Sequence, residues 1–91
     1  MTAGSRKELI DDLRRMVVKE CDKDIDPAEI GVDEQLIGGA LELDSLDALQ
    51  IAVAVKASYG VRIEGGPEGR RALASIASLA DFIIDMRGRA E

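Results

Sequence analysis

The stretch from Ser45 to Ser58 constrains the fold more than any other part of the chain. Stepped at about 100° per residue, Leu46, Leu49 and Val53 fall on one stripe of a helix. Ala48, Ile51, Ala52 and Val55 fall on the nearly opposite one. A helix that is apolar on both sides is normally buried all round. A chain of 91 residues builds one modest core and is too small to cover both stripes. One stripe is therefore expected at the surface, where such patches usually mark a partner site. The alternative is that a loop covers it.

The start of this helix is also legible. Asp44 followed three residues later by Asp47 reads as a helix N-terminus. A side-chain oxygen there accepts from free backbone N–H groups, and a second carboxylate sits in the first turn. Ser45 then falls in the first turn with its hydroxyl toward solvent. Free N–H groups and the helix dipole favour a phosphate nearby, so the local chemistry suits a serine that carries a phosphodiester. Ser45 has no base beside it, and the chain has no His. It is poorly placed to be a catalytic nucleophile and reads as a hydroxyl that another enzyme modifies. His-based metal sites and triads are excluded. The carboxylates form no acid–base constellation beyond a solvated cluster, so the chain is not expected to be an enzyme.

Other elements follow from periodicity. Ser5 and Glu8 have the spacing of a capping box. Leu9, Leu13, Met16, Val17 and Cys21, widened by Ile10 and Val18, then predict an amphipathic helix over about 6–21. Residues 22–44 form a connection longer than the ~12–15 residues usual in compact domains. Asp26-Pro27 begins a helical turn there. Ile25, Ile30, Val32, Leu36 and Ile37 are spaced as anchors, which predicts an ordered loop packed across the helices, and Gly38-Gly39 breaks regular structure. Gly60 ends the central helix, and Val61-Arg62-Ile63 reads as extended. Glu64 to Gly69 reads as a flexible turn, with glycines 60, 65, 66 and 69 making this the least rigid segment. Arg70 to Leu73 predicts a short helical turn. A last helix starts at Ser75, with Ile76, Leu79, Phe82, Ile83 and Met86 on one face and Arg87-Gly88-Arg89 closing it.

Tyr59 and Phe82 are the only aromatic residues. The core must be aliphatic, which favours packed helices over a β-sandwich. The expectation is a single all-α domain over 1–91 with its core at about 6–86. It would be a four-helix bundle of three main helices and a short third, with a long ordered loop between the first and second. Ala48, Ala52, Ala54, Ala77 and Ala80 would permit either close helix packing or an expandable gap.

Charge is unevenly spread. The net charge is −6, yet ten acids lie between Glu20 and Asp47 against one base, Lys23. Such a field repels nucleic acid and attracts basic protein surfaces. No run reaches the ~18 apolar residues of a membrane span. Met1 to Lys7 lacks the apolar stretch of a signal peptide, so a cytoplasmic location is expected. Cys21 is the only cysteine, which excludes an internal disulfide and fits a small core residue.

At Leu43-Asp44-Ser45-Leu46-Asp47 the chain resembles the acyl carrier protein family. The Asp-Ser-Leu triplet lies mid-chain, after an acidic loop and before an aliphatic helix ending in Tyr59-Gly60-Val61-Arg62-Ile63. The resemblance extends over about residues 6–86. It implies a stand-alone, monomeric type II carrier whose Ser45 is esterified with 4′-phosphopantetheine by a separate, Mg²⁺-dependent phosphopantetheinyl transferase. The arm's thiol would hold an acyl chain as a thioester, and the helices would shelter that chain.

Taken residue by residue, Asp44 matches the acid used in transferase recognition and in orienting the arm. Leu46, Leu49 and Val53 match exposed partner contacts, and Asp47 an acid that meets basic partner surfaces. Those partners would be acyltransferase, ketosynthase, reductase and dehydratase enzymes. Ile51, Ala52, Val55, Ile76 and Phe82 would line the acyl-chain pocket. The chain departs from the family at Leu43, where a Gly is common, and at Gln50, Lys56 and Ala57, where acids are common. It also has about two extra residues within Gly65 to Gly69. These departures point away from the general fatty-acid synthase and toward a dedicated pathway such as aryl polyene, unusual lipid or polyketide assembly. Two other readings share these residues: an aminoacyl or D-alanyl carrier, disfavoured by Glu42-Leu43 before the Asp-Ser pair, and a helical interaction module with no prosthetic group.

Overall fold

The computed structural model describes residues 6–39 and 42–90. Four helices follow one another: α1 (Arg6–Glu20), α2 (Ser45–Tyr59), α3 (Pro67–Ala72) and α4 (Ile76–Ala90). A 3₁₀ turn at Pro27–Glu29 interrupts the connection between α1 and α2. The fold is all-α, as expected. Among the described residues the only β pairing is an isolated parallel bridge between Ile37 and Leu43. The Ser5 half of the proposed capping box lies outside the described residues.

Helical spacing of aliphatic residues produces the core. Leu13 and Val17 of α1, Ile51 and Val55 of α2, and Ile76, Leu79 and Ile83 of α4 are fully buried in one cluster. The i, i+3 and i, i+4 steps within each set put these side chains on one face of their helix. α1 packs against both α2 and α4, and α3 packs on α4. Cys21 and Phe82 are half-buried against this cluster.

The long connection is part of the core. Ile30 and Leu36 are fully buried, and Leu43 is nearly so. Backbone bonds tie the loop to the start of α4. The Leu36 amide donates to the Ala74 carbonyl at 3.0 Å, and the Ala77 amide donates to the Val32 carbonyl at 2.9 Å. From α1, Arg14 Nε donates to the Ile30 carbonyl at 2.9 Å. The 3₁₀ turn is fixed by Asp26, whose Oδ1 accepts from the Ala28 amide at 2.9 Å, with Pro27 at the first position.

One boundary differs from the sequence-based expectation. α3 begins at Pro67, not at Arg70, because Pro67 supplies the fixed φ of a first helical position. Gly69 is therefore inside α3 and buried, not in a flexible turn. A Cβ at Gly69 would lie 1.9 Å from the Glu64 carbonyl oxygen, so only glycine lets α3 approach the preceding strand of chain so closely. α4 runs to Ala90, so Arg87-Gly88-Arg89 forms its last turn, as expected. Its start is as expected. Ser75 Oγ accepts from the Ser78 amide at 3.1 Å, and the Ser75 amide donates to Ser78 Oγ at 3.0 Å.

Because Leu36 fills the core from a loop, Leu36→Ala should lower the unfolding free energy by about 2–5 kcal/mol in urea titrations. A loss below about 0.5 kcal/mol would show that the connection behaves as solvated surface.

Candidate functional site

The site begins at the first turn of α2. Asp44 is extended (φ −117°, ψ −168°), and its Oδ1 accepts from the amides of Leu46 at 3.0 Å and Asp47 at 3.1 Å. Asp47 Oδ2 accepts in return from the Asp44 amide at 3.0 Å. This reciprocal cap contributes about 1 kcal/mol and fixes where the helix starts. Ser45 is thereby held at the first helical position, exposed to solvent. One expectation is corrected. Asp44 already engages the Leu46 and Asp47 amides, so a phosphate on Ser45 Oγ would not find those N–H groups free. It would stand in water beside two carboxylates.

Around the helix, the two apolar stripes have different fates. Leu46 is 71% exposed, Leu49 60% and Val53 58%, so this stripe is an uncovered surface. On the other stripe Ile51 and Val55 are fully buried, while Ala48 and Ala52 are half-buried. The C-terminal part of the exposed side carries Gln50, Lys56 and Ala57, all solvent-facing. The helix ends at Gly60, whose left-handed φ of 71° lets its amide donate to the Lys56 carbonyl.

A groove of about 960 Å³ opens between α2 and the segment from Ile63 to Ser75. Ser45, Ala48, Leu49 and Ala52 form its α2 wall; Ile37 closes it from the long loop. Ile63, Gly69, Arg70, Leu73 and Ala74 line the facing wall, with Asp33, Gln35 and Glu64 also in the lining. This volume lies in the range of small-ligand clefts.

Of the residues that the resemblance assigns to an acyl-chain pocket, Ala52 lines this open groove. Ile51, Val55 and Ile76 are closed within the core, and Phe82 packs against the core away from the groove. Sequence reasoning missed Ile37, Ile63, Arg70 and Leu73 as groove residues. They come from three separate segments, and only the spacing of Ala48 and Ala52 signalled the space in advance.

A second hollow of about 630 Å³ lies near the other end of α2, against α1 and α4. Tyr59 and Ile84 line it, with the Arg87 guanidinium 6.0 Å from the centre of the Tyr59 ring. Among the described residues, no group of three or more His, Cys, Asp or Glu is placed to hold a metal ion. Among them, too, no helix is long and apolar enough to cross a membrane.

Behind the first turn of α2, Cys21 Sγ lies 4.0 Å from the Asp47 carbonyl oxygen. Burial, with the Asp47 carboxylate adding to it, pushes the thiol from 9.0 up to about 11. The fold thus favours the protonated thiol. That contribution to stability is intact below the unfolded value and is lost as pH rises through about 11. Near neutral pH the folded chain should react with iodoacetamide on the order of 100-fold more slowly than the urea-unfolded chain. Equal rates would show an accessible, ionised thiol.

No protein-family model matches this chain, and no curated protein matches it.

Proposed function

We propose that this chain is an acyl carrier: a protein that bears a 4′-phosphopantetheine arm on Ser45 and presents acyl groups to biosynthetic enzymes. The observation that carries this reading is the placement of Ser45. An exposed hydroxyl, with no base beside it, stands at a capped helix start and on the lining of an apolar-walled groove.

Each residue set has a role in this reading. Ser45 Oγ attacks phosphorus on the donor, the donor's bond to its nucleotide breaks, and the serine proton passes to a base of the transferase. Asp44 fixes the geometry of the turn through its bonds to the Leu46 and Asp47 amides. The arm, when attached, supplies a thiol that holds cargo as a thioester. Ala48 and Ala52 leave room beside Ser45 for an acyl chain to lie out of water. Leu46, Leu49 and Val53 offer apolar contact to a partner enzyme, and the acids from Glu20 to Asp47 draw basic surfaces to that end. Exposed Gln50, Lys56 and Ala57 leave the rest of the helix without acids, which fits a carrier dedicated to one pathway.

A helical interaction module would use the same apolar stripe and acidic turn. It would need neither the exposed serine nor the groove, and the groove favours the carrier. An aminoacyl carrier would share the site and differ in cargo.

Incubation with a broad-specificity phosphopantetheinyl transferase and coenzyme A should add one phosphopantetheine mass, and Ser45→Ala should abolish the gain. Asp44→Asn keeps a capping oxygen, so stability should stay within about 0.5 kcal/mol while loading slows. An unmodified wild-type chain beside a fully loaded control carrier would overturn the reading.

A further inference from the structure

The groove beside Ser45 is not evenly apolar. Among the described residues, Arg70, from α3, is the one cationic side chain in its lining. Most other arginines already have partners. Arg6 pairs with Asp81, Arg14 with Asp11, Arg15 with Asp12 and Arg62 with Glu64, and Arg87 lies over the Tyr59 ring. Among the arginines whose side chains are described, Arg70 and Arg71 have no side-chain partner, and of these two only Arg70 lines the groove. The lining also contains two acids. Glu64 is engaged by Arg62, while Asp33 forms no salt bridge among the described residues and lies in the field of Arg6.

We infer that Arg70 makes this groove selective for acyl chains that end in a carboxylate. The inference rests on the carrier reading. A chain tethered at Ser45 lies along the Ala48–Ala52 wall and faces the wall that carries Arg70. A guanidinium presents paired N–H donors in the geometry of a carboxylate. Apolar side chains on both walls lower the local polarity and strengthen that pair relative to one in open water. Asp33 opposes it, so Asp33→Asn should increase the selectivity. Arg70 is itself exposed, and the expected preference is modest, about threefold, as for partly exposed ion pairs.

The test compares three forms of the loaded chain by nitrogen-edited NMR: the bare arm, an octanoyl arm and a suberoyl arm. The Arg70 Nε–H resonance should move with the suberoyl form alone, and the sequestered population should be about threefold greater for suberoyl than for octanoyl. High salt should remove the difference. Arg70→Gln should abolish both effects without reducing loading, whereas Arg71→Gln should leave them intact. Equal sequestration of octanoyl and suberoyl chains would overturn the inference. So would an Arg70 shift already present with the bare arm, which would assign Arg70 to the arm's phosphate. The same two chains are also attached by maleimide linkers of pantetheine length to a Ser45→Cys, Cys21→Ser variant. Failure to load by the transferase would then sink the carrier reading, while the tethered chains still decide whether Arg70 selects a carboxylate.

Discussion

A helix that is apolar on two sides cannot be hidden in a chain of this size, and the architecture follows from how that conflict is resolved. α1 and α4 join Ile51 and Val55 in the core. The strap from residue 22 to residue 43 contributes Ile30, Leu36 and Leu43 to the same core. Among the described residues, none covers Leu46, Leu49 and Val53. Burial of one such side chain is worth roughly 1.5–3 kcal/mol, so this stripe holds several kcal/mol that only association with another surface would recover. The reciprocal cap between Asp44 and Asp47 fixes the start of the helix and places Ser45 and the exposed stripe on one rigid element.

The groove has an equally specific origin. It exists because α2 presents alanine at positions 48 and 52 toward α3, and because α3 is held against α4. Pro67 starts α3, and Gly69 lets it press against the Glu64 carbonyl. The loop anchors closing the floor are held by backbone bonds to the residues just before and after the start of α4. The serine, the groove and the apolar stripe therefore depend on one packed unit, and damage to the strap should be felt at all three.

Much of this was legible in the sequence because it rests on local rules. The Asp44–Asp47 spacing announced the cap, and Gly60 announced the end of α2. The aliphatic anchors announced an ordered strap, and the double stripe announced an exposed face. What depends on long-range packing was not legible. Arg70 and Ile37 line one groove from positions far apart in the chain, and the anchor spacing that marked Ile37 did not mark either as a groove residue. Ile51, Val55 and Ile76, which the resemblance assigns to core positions around an acyl chain, are fully buried in the core and do not line the open groove. The amides at the start of α2 looked free because the spacing does not show how many of them the Asp44 carboxylate will take.

The proposed carrier role would tie Ser45, the groove and the exposed stripe to one chemical event, the attachment and sheltering of a loaded arm. The most direct measurement is the intact mass of this protein isolated from cells that make it, followed by peptide mapping. A carrier role predicts a phosphopantetheine mass, with or without an acyl group, confined to the peptide containing Ser45. A chain found wholly unmodified in cells whose other carriers are loaded would contradict it.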